Sequence, residues 1–380
     1  MLWPRVTPES ATNKRVAVET KEGILRRTSK IAAVTVVACL ALTGCGKKSD
    51  SGTTGTASDD VCKTASGSGP KVGLAYDVGG RGDQSFNDSA YAGVSKAVTD
   101  FSGSCIEGEA QDGEPESARE DRLSQMADQG ATAVIGVGFA YSDAVNAVAP
   151  NYPNVHFAVV DGFDPDKKVN KNVAYFSFAA NESSFLVGVA AAEATKTKQV
   201  GFVGGVHIDL IKSFEAGYTA GVHAVDPSIK VDVAYIQESN ISGFNDPAGG
   251  KTAAAGEFDQ GADVVYHAAG ASGSGVFDAA VEAGSGNWAI GVDSDQYLTA
   301  TADQKAHILT SALKRVDIAC DDWLKTVNDG NAATSYVTYD LKNGGVGYAT
   351  SNPAIKPYEA KINEFSDKIK SGKIKVPTTP

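Results

Sequence analysis

Short apolar runs recur along the chain from residue 71 onward, and each is followed by a stretch in which apolar residues return every three or four positions. The runs are continuous rather than alternating, which is typical of strands buried on both faces of a parallel sheet. They read KVGLAY, TAVIGVG, VHFAVVDG, VAYFSFA, QVGFVGG, KVDVAYI, DVVYHAAG, NWAIGVD and HILTSAL. The stretches between them, such as SAREDRLSQMADQGA and LKRVDIACDDWLKTVNDG, predict helices.

This alternation predicts an α/β fold made of βαβ units of about 30 residues each. One sheet of so many strands would be oversized, so we expect two doubly wound parallel-sheet lobes. The predicted chain path crosses from the first lobe to the second near Asn181, returns near 292–296 and crosses again in a late segment. The expected bounds are 71–180 plus about 294–335 for lobe 1, and 181–293 plus about 336–377 for lobe 2.

The N-terminal residues predict an exported and anchored protein. Basic residues precede the apolar run IAAVTVVACLAL, which is too short for a mature membrane span and is typical of a secretory signal. The run leads into LTGC, which resembles a bacterial lipobox ending at Cys45, so 1–45 is predicted to be a lipoprotein signal peptide. A simple transmembrane anchor is the alternative. Residues 46–70 are rich in Gly, Ser and Thr and predict a flexible tether.

Five cysteines bear on the redox state of the chain. Because export implies an oxidising compartment, a Cys62–Cys105 disulfide is the preferred pairing, with two reduced thiols as the alternative. Cys320 lies at helical spacing with apolar residues and is expected to be buried. The cysteines and histidines show no spacing typical of a metal site, so no metal is predicted.

The overall charge narrows the class of partner. The 380 residues carry a net charge of −12, with 21% charged and 42% hydrophobic residues. An acidic surface repels nucleic-acid polymers and anionic lipid, and it leaves a small-molecule ligand possible.

Candidate site residues follow the strands. In open parallel sheets, ligands bind beyond the carboxyl ends of the strands, and polar or aromatic residues occur at several of these positions. They are Asp77, Asp161 and Asp293 at strand ends, Phe86 and Asn87 in the first loop, Phe244 after the strand KVDVAYI, and the glycine-rich turn GASGSG with Gly270 and Gly273.

These residue types suit a neutral ligand with hydroxyl groups and a flat ring. Carboxylates repel phosphate and accept hydroxyl donors, aromatic rings stack on heterocycles, and an amide both donates and accepts. The same set also suits a sugar. Each residue has a structural alternative as well: a strand-end Asp is often a helix N-cap, Phe86 fits a core position, and Lys314 fits a solvated helix. Asp83 and Asp88 are expected to act as caps or loop acceptors.

Catalytic motifs are missing from the sequence. It contains no HExxH pair of histidines and no G-x-S-x-G elbow, and GGKT at 249–252 lacks the first glycine of a P-loop because Asn245 occupies that position. We find no nucleophile–base pair and therefore predict a protein that is not an enzyme and needs no cofactor.

Several separated blocks resemble the basic membrane protein family of ABC-transporter substrate-binding lipoproteins, whose PnrA-like members bind purine nucleosides. The blocks run from about 71 to 377 and read DVGGRGDQSFNDSAYAG, NESSFLVGVAAA, FEAGYTAGVHAVDP, FNDPAGGKTAA and IGVDSDQY…ILTSALKRVD. The resemblance implies a type I periplasmic-binding-protein fold, with two lobes joined by three crossing segments, that delivers a ligand to an ABC permease.

The resemblance also assigns roles to residues. It implies that Phe86 and Phe244 sandwich the base, that Asp77 and Asn87 read its edge, and that Asp161 and Asp293 hold ribose hydroxyls beside Lys314. The family's glycine turn corresponds to 270–275, and Arg81 and Gly82 depart from the acids common in relatives, which could alter base preference. A monomer is expected. A sugar or autoinducer receptor, a nucleoside sensor without transport and a nucleoside-cleaving enzyme remain alternatives.

Overall fold

The structure, a computed structural model, describes residues 60–164 and 170–380. The predicted signal peptide, the lipobox Cys45 and tether residues 46–59 lie outside the described residues. Within the described ranges, none of the helices has the length and apolar character needed to span a bilayer.

Strands and helices alternate as the hydrophobic pattern predicts. The strands are β1 Lys71–Tyr76, β2 Ser104–Glu109, β3 Ala133–Val137, β4 His156–Val160, β5 Val173–Phe178, β6 Gln199–Val206, β7 Lys230–Gln237, β8 Val264–Ala268, β9 Trp288–Asp293, β10 Ile308–Lys314, β11 Ser335–Tyr339 and β12 Val346–Tyr348. The α-helices are α1 Val61–Thr64, α2 Phe86–Asp100, α3 Glu116–Asp128, α4 Ser142–Val148, α5 Ala180–Ala194, α6 Asp209–Val225, α7 Pro247–Asp259, α8 Gly273–Ala283, α9 Gln296–Thr299, α10 Ala302–Lys305, α11 Val316–Asn328 and α12 Glu359–Lys370.

Two six-stranded sheets share one topological plan. The strand order is β11-β5-β4-β3-β1-β2 in the first and β12-β10-β9-β8-β6-β7 in the second. Among the residues that the structure describes, all strand pairings are parallel except the one between β10 and β12. The strand-by-strand correspondence means that β4 and β9 hold equivalent places, as do β5 and β10. The predicted α/β class with two doubly wound lobes is confirmed.

Three segments connect the lobes, but two of them lie later in the chain than expected. The first crossing lies at Ala179, between β5 and α5, and the sequence placed it near Asn181. The second lies at Arg315, because β10 pairs with β9 in the second sheet, so residues 294–314 belong to lobe 2 and not to lobe 1. The third follows β11, which pairs with β5. The pattern of an apolar strand does not encode which of two similar sheets it joins.

Helices cover both faces of each sheet, which explains the continuous apolar strands. In lobe 1, one face packs against α2 and α11, whose Val94 and Trp323 share a core with Phe176. The other face packs against α3 and α4 through Leu123 and Val145. In lobe 2, α5, α6 and α12 cover one face, and α7 and α8 cover the other.

The segment just before β1 is folded, which corrects the predicted tether for residues 60–70. Val61–Thr64 forms α1, and Cys62 is bonded to Cys105 in β2, as the preferred pairing predicted. Arg81 adds a second attachment, since its Nη1 lies 3.0 Å from the Oδ1 of Asp60 and its guanidinium stacks on Tyr91 at 3.5 Å from the ring centroid. The Gly, Ser and Thr content of this segment predicted a coil, because amino-acid composition carries no information on the disulfide that holds the segment to β2.

Replacing Cys62 by Ser should lower the free energy of unfolding by about 4 kcal/mol, since the bond closes a loop of about 43 residues in the unfolded chain. Urea unfolding followed by far-UV circular dichroism measures the change. A reductant should destabilise the wild type to a similar extent and leave Cys62→Ser unaffected. Equal stability of the oxidised wild type and the variant would contradict the prediction.

Candidate functional site

A cavity lies between the carboxyl ends of the two sheets, and its space of about 570 Å³ includes a part that is open to solvent. Of the nine predicted ligand-binding residues, the cavity wall includes all but Gly273. The lining residues are Asp77, Val78, Asp83, Phe86, Asn87, Gly138, Phe139, Asp161, Leu210, Ile211, Phe214, Phe244, Ala268, Ala269, Gly270, Ala271, Val292, Asp293 and Lys314.

Asp161 and Asp293 occupy equivalent positions in the two lobes. Asp161 follows β4 and Asp293 ends β9, the third strand of each sheet as ordered above. Both have left-handed backbones, with φ of 57° and 62°. Such values are uncommon outside glycine and are found most often for Asn and Asp, frequently at functional sites. The two carboxylates therefore face the cavity from opposite lobes.

Lys314 supplies the positive charge of the cavity wall. It ends β10 in lobe 2, its side chain is 4% exposed, and its ammonium group forms an ion pair with Asp161 of lobe 1. The ammonium also lies over three phenylalanine rings, 4.5 Å from the centroid of Phe86, 5.1 Å from that of Phe178 and 5.9 Å from that of Phe214. Cation–π contacts of this kind stabilise a buried ammonium group. The expected alternative of a solvated helical lysine is therefore wrong.

The opening loop holds its side chains in a hydrogen-bonded network. Asn87 accepts from the backbone N–H of Asp77 at 3.0 Å and donates Nδ2 to Asp83 at 3.1 Å. Asp83 also accepts from the backbone N–H groups of Ser85, Asn87 and Asp88, at 2.8–3.1 Å. The bonds from Asn87 and Asp88 satisfy two of the free N–H groups in the first turn of α2, which agrees with the predicted role of Asp83 as a cap or loop acceptor. Asn87 keeps one N–H and one lone pair for a ligand.

Burial dominates the electrostatics of the carboxyl groups. It raises the pKa of Asp77 to about 6 against the hydrogen bond from Val78, and that of Asp83 to about 7 against three backbone donors. The pKa of Asp293 is also raised by burial, which outweighs the nearby Lys314 ammonium and a hydrogen bond from Ser85. The described cavity wall thus combines four aspartates with one lysine, so its carboxyl groups outnumber its positively charged groups.

Aromatic rings reach the cavity from both lobes. Phe86 begins α2 in lobe 1, whereas Phe244 lies in lobe 2 with its ring against Gly205, where a Cβ would come within 2.5 Å of the ring. The ammonium of Lys314 covers one face of Phe86. Two further rings, Phe139 and Phe214, line the wall and were missed by sequence reasoning. Phe214 lies one turn beyond Leu210 at the start of α6, and apolar spacing of four just after a strand was the signal available for it.

The glycines have different roles. Gly138, with φ of 101°, makes room for Asp77, because a Cβ there would lie 2.3 Å from the Oδ2 of Asp77. Gly270 lines the cavity, as expected. Gly273 does not: it packs on the buried imidazole of His267, where a Cβ would lie 1.9 Å from Cε1. The family resemblance therefore identified a structural glycine at that position as a ligand neighbour.

Arg81, one of the departures from the family pattern, does not line the cavity. Its guanidinium points to Asp60, Glu107 and Tyr91 on the outer side of lobe 1. Arg81 therefore fixes the N-terminal segment against lobe 1, and it brings no positive charge to the cavity.

Two doubly wound lobes, three crossings and a cavity at the facing strand ends define a substrate-binding protein with the type I periplasmic-binding fold. The chain belongs to the Bmp family, described as ABC transporter substrate-binding protein PnrA-like, whose model matches residues 71–380. The resemblance found in the sequence is thereby confirmed.

Individual relatives support this placement. The chain is 34% identical to the ABC transporter nucleoside-binding protein BmpA of Lactococcus lactis subsp. cremoris, over 93% of this chain and 99% of that protein. It is 35% identical to the CD4+ T-cell-stimulating antigen of Listeria monocytogenes, over 81% and 88% of the two chains. Among solved structures, an ABC transporter solute-binding protein from Aeropyrum pernix K1 superposes with a TM-score of 0.70 at 28% identity, over 81% and 94%.

The raised pKa of Asp77 makes stability depend on pH. Its folded-state pKa is about 6 and its ordinary value is 3.8, so between these values the folded protein binds the proton more tightly than the unfolded chain does. The contribution of Asp77 to the free energy of unfolding therefore falls as the pH rises from about 4 to about 6. As the pH rises from 4 to 7, the free energy of unfolding of Asp77→Asn should increase by about 1–3 kcal/mol relative to that of wild type, as measured by urea unfolding at each pH.

Asp209→Asn is the matched control, because the Asp209 side chain is fully exposed. Its stability difference from wild type should change little over the same range. A difference for Asp77→Asn that stays constant, or that moves in favour of the wild type with rising pH, would contradict the assigned burial.

Proposed function

We propose that this protein is an extracytoplasmic receptor that binds a nucleoside, and specifically a purine nucleoside, between its lobes and delivers it to an ABC permease. The observation that carries the proposal is the shared cavity, in which an aromatic ring from each lobe lies with four aspartates and one lysine. The name of the Lactococcus lactis relative, a nucleoside-binding protein, supports the same ligand class.

The base and the ribose of a nucleoside would each contact a different set of cavity residues. Phe244 and the free face of Phe86 would stack on the base, which contributes about 1–3 kcal/mol per ring. Asp161 and Asp293 would accept hydrogen bonds from ribose hydroxyls, with Lys314 offsetting their charge. Asp77, together with the remaining donor and acceptor of Asn87, would bind polar groups on the base edge.

The same walls disfavour nucleotides and simple sugars. A phosphate group would meet four aspartates, two of them buried, and a single ammonium that is already paired with Asp161, and like charges at low dielectric repel strongly. Ribose alone would leave a long apolar wall without a partner; the residues of that wall are Val78, Phe139, Leu210, Ile211 and Phe214. Burying a base against this wall is favourable by about 25 cal/mol per Å² of apolar surface.

The N-terminal sequence and the family resemblance support a lipid anchor and an ABC permease partner. Lipidation at Cys45 would hold the receptor at the outer face of the cell membrane, and the ABC permease would take the closed, loaded form. We propose a monomer, since one chain supplies both halves of the cavity. Binding without turnover fits the family, whose described role is substrate binding.

Calorimetric titration tests the ligand class. Guanosine, inosine or adenosine should bind with a dissociation constant in the micromolar range or below, while ribose and guanosine monophosphate should bind at least about a hundredfold more weakly. Tight binding of ribose without a response to nucleosides would favour the sugar-receptor alternative, and nucleoside converted to free base during long incubation would favour the enzyme.

Paired leucine variants isolate the stacking contribution within the same titration. Phe244→Leu keeps an apolar side chain and removes the ring, and it should weaken nucleoside binding by about 1–3 kcal/mol. Phe163→Leu makes the same change at a residue that is 44% exposed and does not line the cavity, so it should leave affinity unchanged. Equal effects of the two variants would contradict stacking on Phe244.

The pKa of Asp77 predicts opposite pH trends for different bases. Guanosine and inosine offer an N1–H donor, which an ionised Asp77 accepts, whereas adenosine offers an N1 acceptor, which a protonated Asp77 can donate to. Since the pKa of Asp77 is about 6, guanosine affinity should rise between pH 5 and pH 7 and adenosine affinity should not. Titrations at both pH values on wild type and Asp77→Asn measure this, and the trends should disappear in the variant. Parallel trends for both bases would place Asp77 away from the base edge.

A further inference from the structure

Ser85 connects the two lobes beside the cavity. It lies just before α2 in lobe 1 and is fully buried. Its hydroxyl donates to the Oδ2 of Asp293 at 2.7 Å and lies 3.3 Å from the carbonyl oxygen of Val292, both in lobe 2. Its own carbonyl oxygen accepts from the hydroxyl of Ser294 at 2.9 Å. Both the side chain and the backbone of Ser85 therefore bond to the strand end that carries Asp293.

The position of Ser85 is fixed from its own lobe. Its N–H donates to the Oδ1 of Asp83 at 2.9 Å, and the neighbouring Gln84, with φ of 54°, donates its N–H to Asp88 at 3.0 Å. Asp83 and Asp88 thus hold the turn that presents the Ser85 hydroxyl to lobe 2. A donor held in place in this way binds its acceptor without losing rotamer freedom at that moment.

The Asp293 carboxylate is held in place by the hydrogen bond from the Ser85 hydroxyl. Lys314, the nearby ammonium, is paired with Asp161, and among the described residues Ser85 is the one found to donate a hydrogen bond to the Asp293 carboxylate. Asp293 also borders a second, surface-facing groove that Gln84, Ser294 and Arg315 line. The contact between Ser85 and the 292–294 strand end is therefore part of the wall that separates the cavity from that groove.

We propose that Ser85 is a positioning residue, which aims the Asp293 carboxylate at the ligand and forms a hydrogen-bonded seam between the lobes when they close. The role of Asp293 toward ligand hydroxyls rests on the proposed function, whereas the seam itself does not. The seam links recognition to closure, because the carboxylate that binds the ligand is the one that the opposite lobe holds in place.

Ser85→Ala removes the donor at little change in volume, and it should weaken nucleoside binding about tenfold or more, as expected for a hydrogen bond to a charged group. Ser89→Ala is the matched control: Ser89 lies one turn further along α2, and its hydroxyl accepts from the N–H of Asp317 in α11, which packs on α2. That variant should keep wild-type affinity. Ligand-induced compaction, followed by small-angle X-ray scattering, should be reduced in Ser85→Ala and normal in Ser89→Ala.

A double-mutant cycle with Asp293→Asn distinguishes positioning from general support of the fold. If Ser85 acts through Asp293, replacing Ser85 in the Asp293→Asn background should change affinity by less than about threefold, because coupled residues are not additive. Equal effects of Ser85→Ala in both backgrounds, or wild-type affinity of Ser85→Ala, would overturn the proposal.

The cycle also separates this inference from the proposed function. If the wild type binds none of the nucleosides, the proposed function fails, and the seam is then tested by the same cycle on the urea unfolding of the free protein. Non-additive stabilities of Ser85→Ala and Asp293→Asn would still support the seam, and additive ones would overturn it.

Discussion

The shortage of positive charge between the lobes is the constraint on which the rest of the site depends. Lys314 is the one ammonium group among the described cavity residues, and Asp161 takes it up in an ion pair across the lobes. Removing a carboxylate from water costs several kcal/mol unless charge or hydrogen bonds replace the water. Asp77, Asp83 and Asp293 are therefore stabilised by backbone N–H groups and a serine hydroxyl, and burial still raises the pKa of all three. A ligand that brings hydroxyl and N–H donors offsets this cost, and an anion increases it.

The repeated plan of the two lobes explains how this charge arrangement is built. Equivalent strands end at the same edge of each sheet, so β4 and β9 bring Asp161 and Asp293 face to face when the lobes meet. The next strands outward, β5 and β10, end at Phe178 and Lys314, which contact each other at 5.1 Å. Both of these strands lead directly into crossing segments. A rotation at the crossings would therefore change two distances at once. These are the distance between Lys314 and Asp161 in the ion pair and the distance between the carboxylates of Asp161 and Asp293.

Strand ends could be predicted from the sequence because hydrophobic runs are local signals, and Asp77, Asp161 and Asp293 followed from them. The place of Lys314 could not, since a lysine after an apolar run fits either a helix or a strand until its sheet partners are known. Gly138 and Gly273 show the same limit: one makes room for Asp77 and the other for His267, and both contacts join residues far apart in sequence. The boundary at 294 failed for a related reason, because β10 could have extended either sheet.

In the proposed function, lobe closure and ligand recognition use the same atoms, and these atoms would determine whether the open or the closed form is more stable. Bringing the lobes together buries Asp161 and Asp293, which is unfavourable until hydrogen-bond donors reach them. The Lys314 ammonium and the Ser85 hydroxyl stabilise the charged form of Asp293. They do not fully offset the cost of burying it, since burial still raises the pKa of Asp293. In the proposed function, the hydroxyl groups of the ligand supply the remaining hydrogen bonds. Under the proposed function, a molecule with vicinal hydroxyls would stabilise the closed form more than water does, and a permease that binds the closed form would thereby distinguish loaded receptors from empty ones.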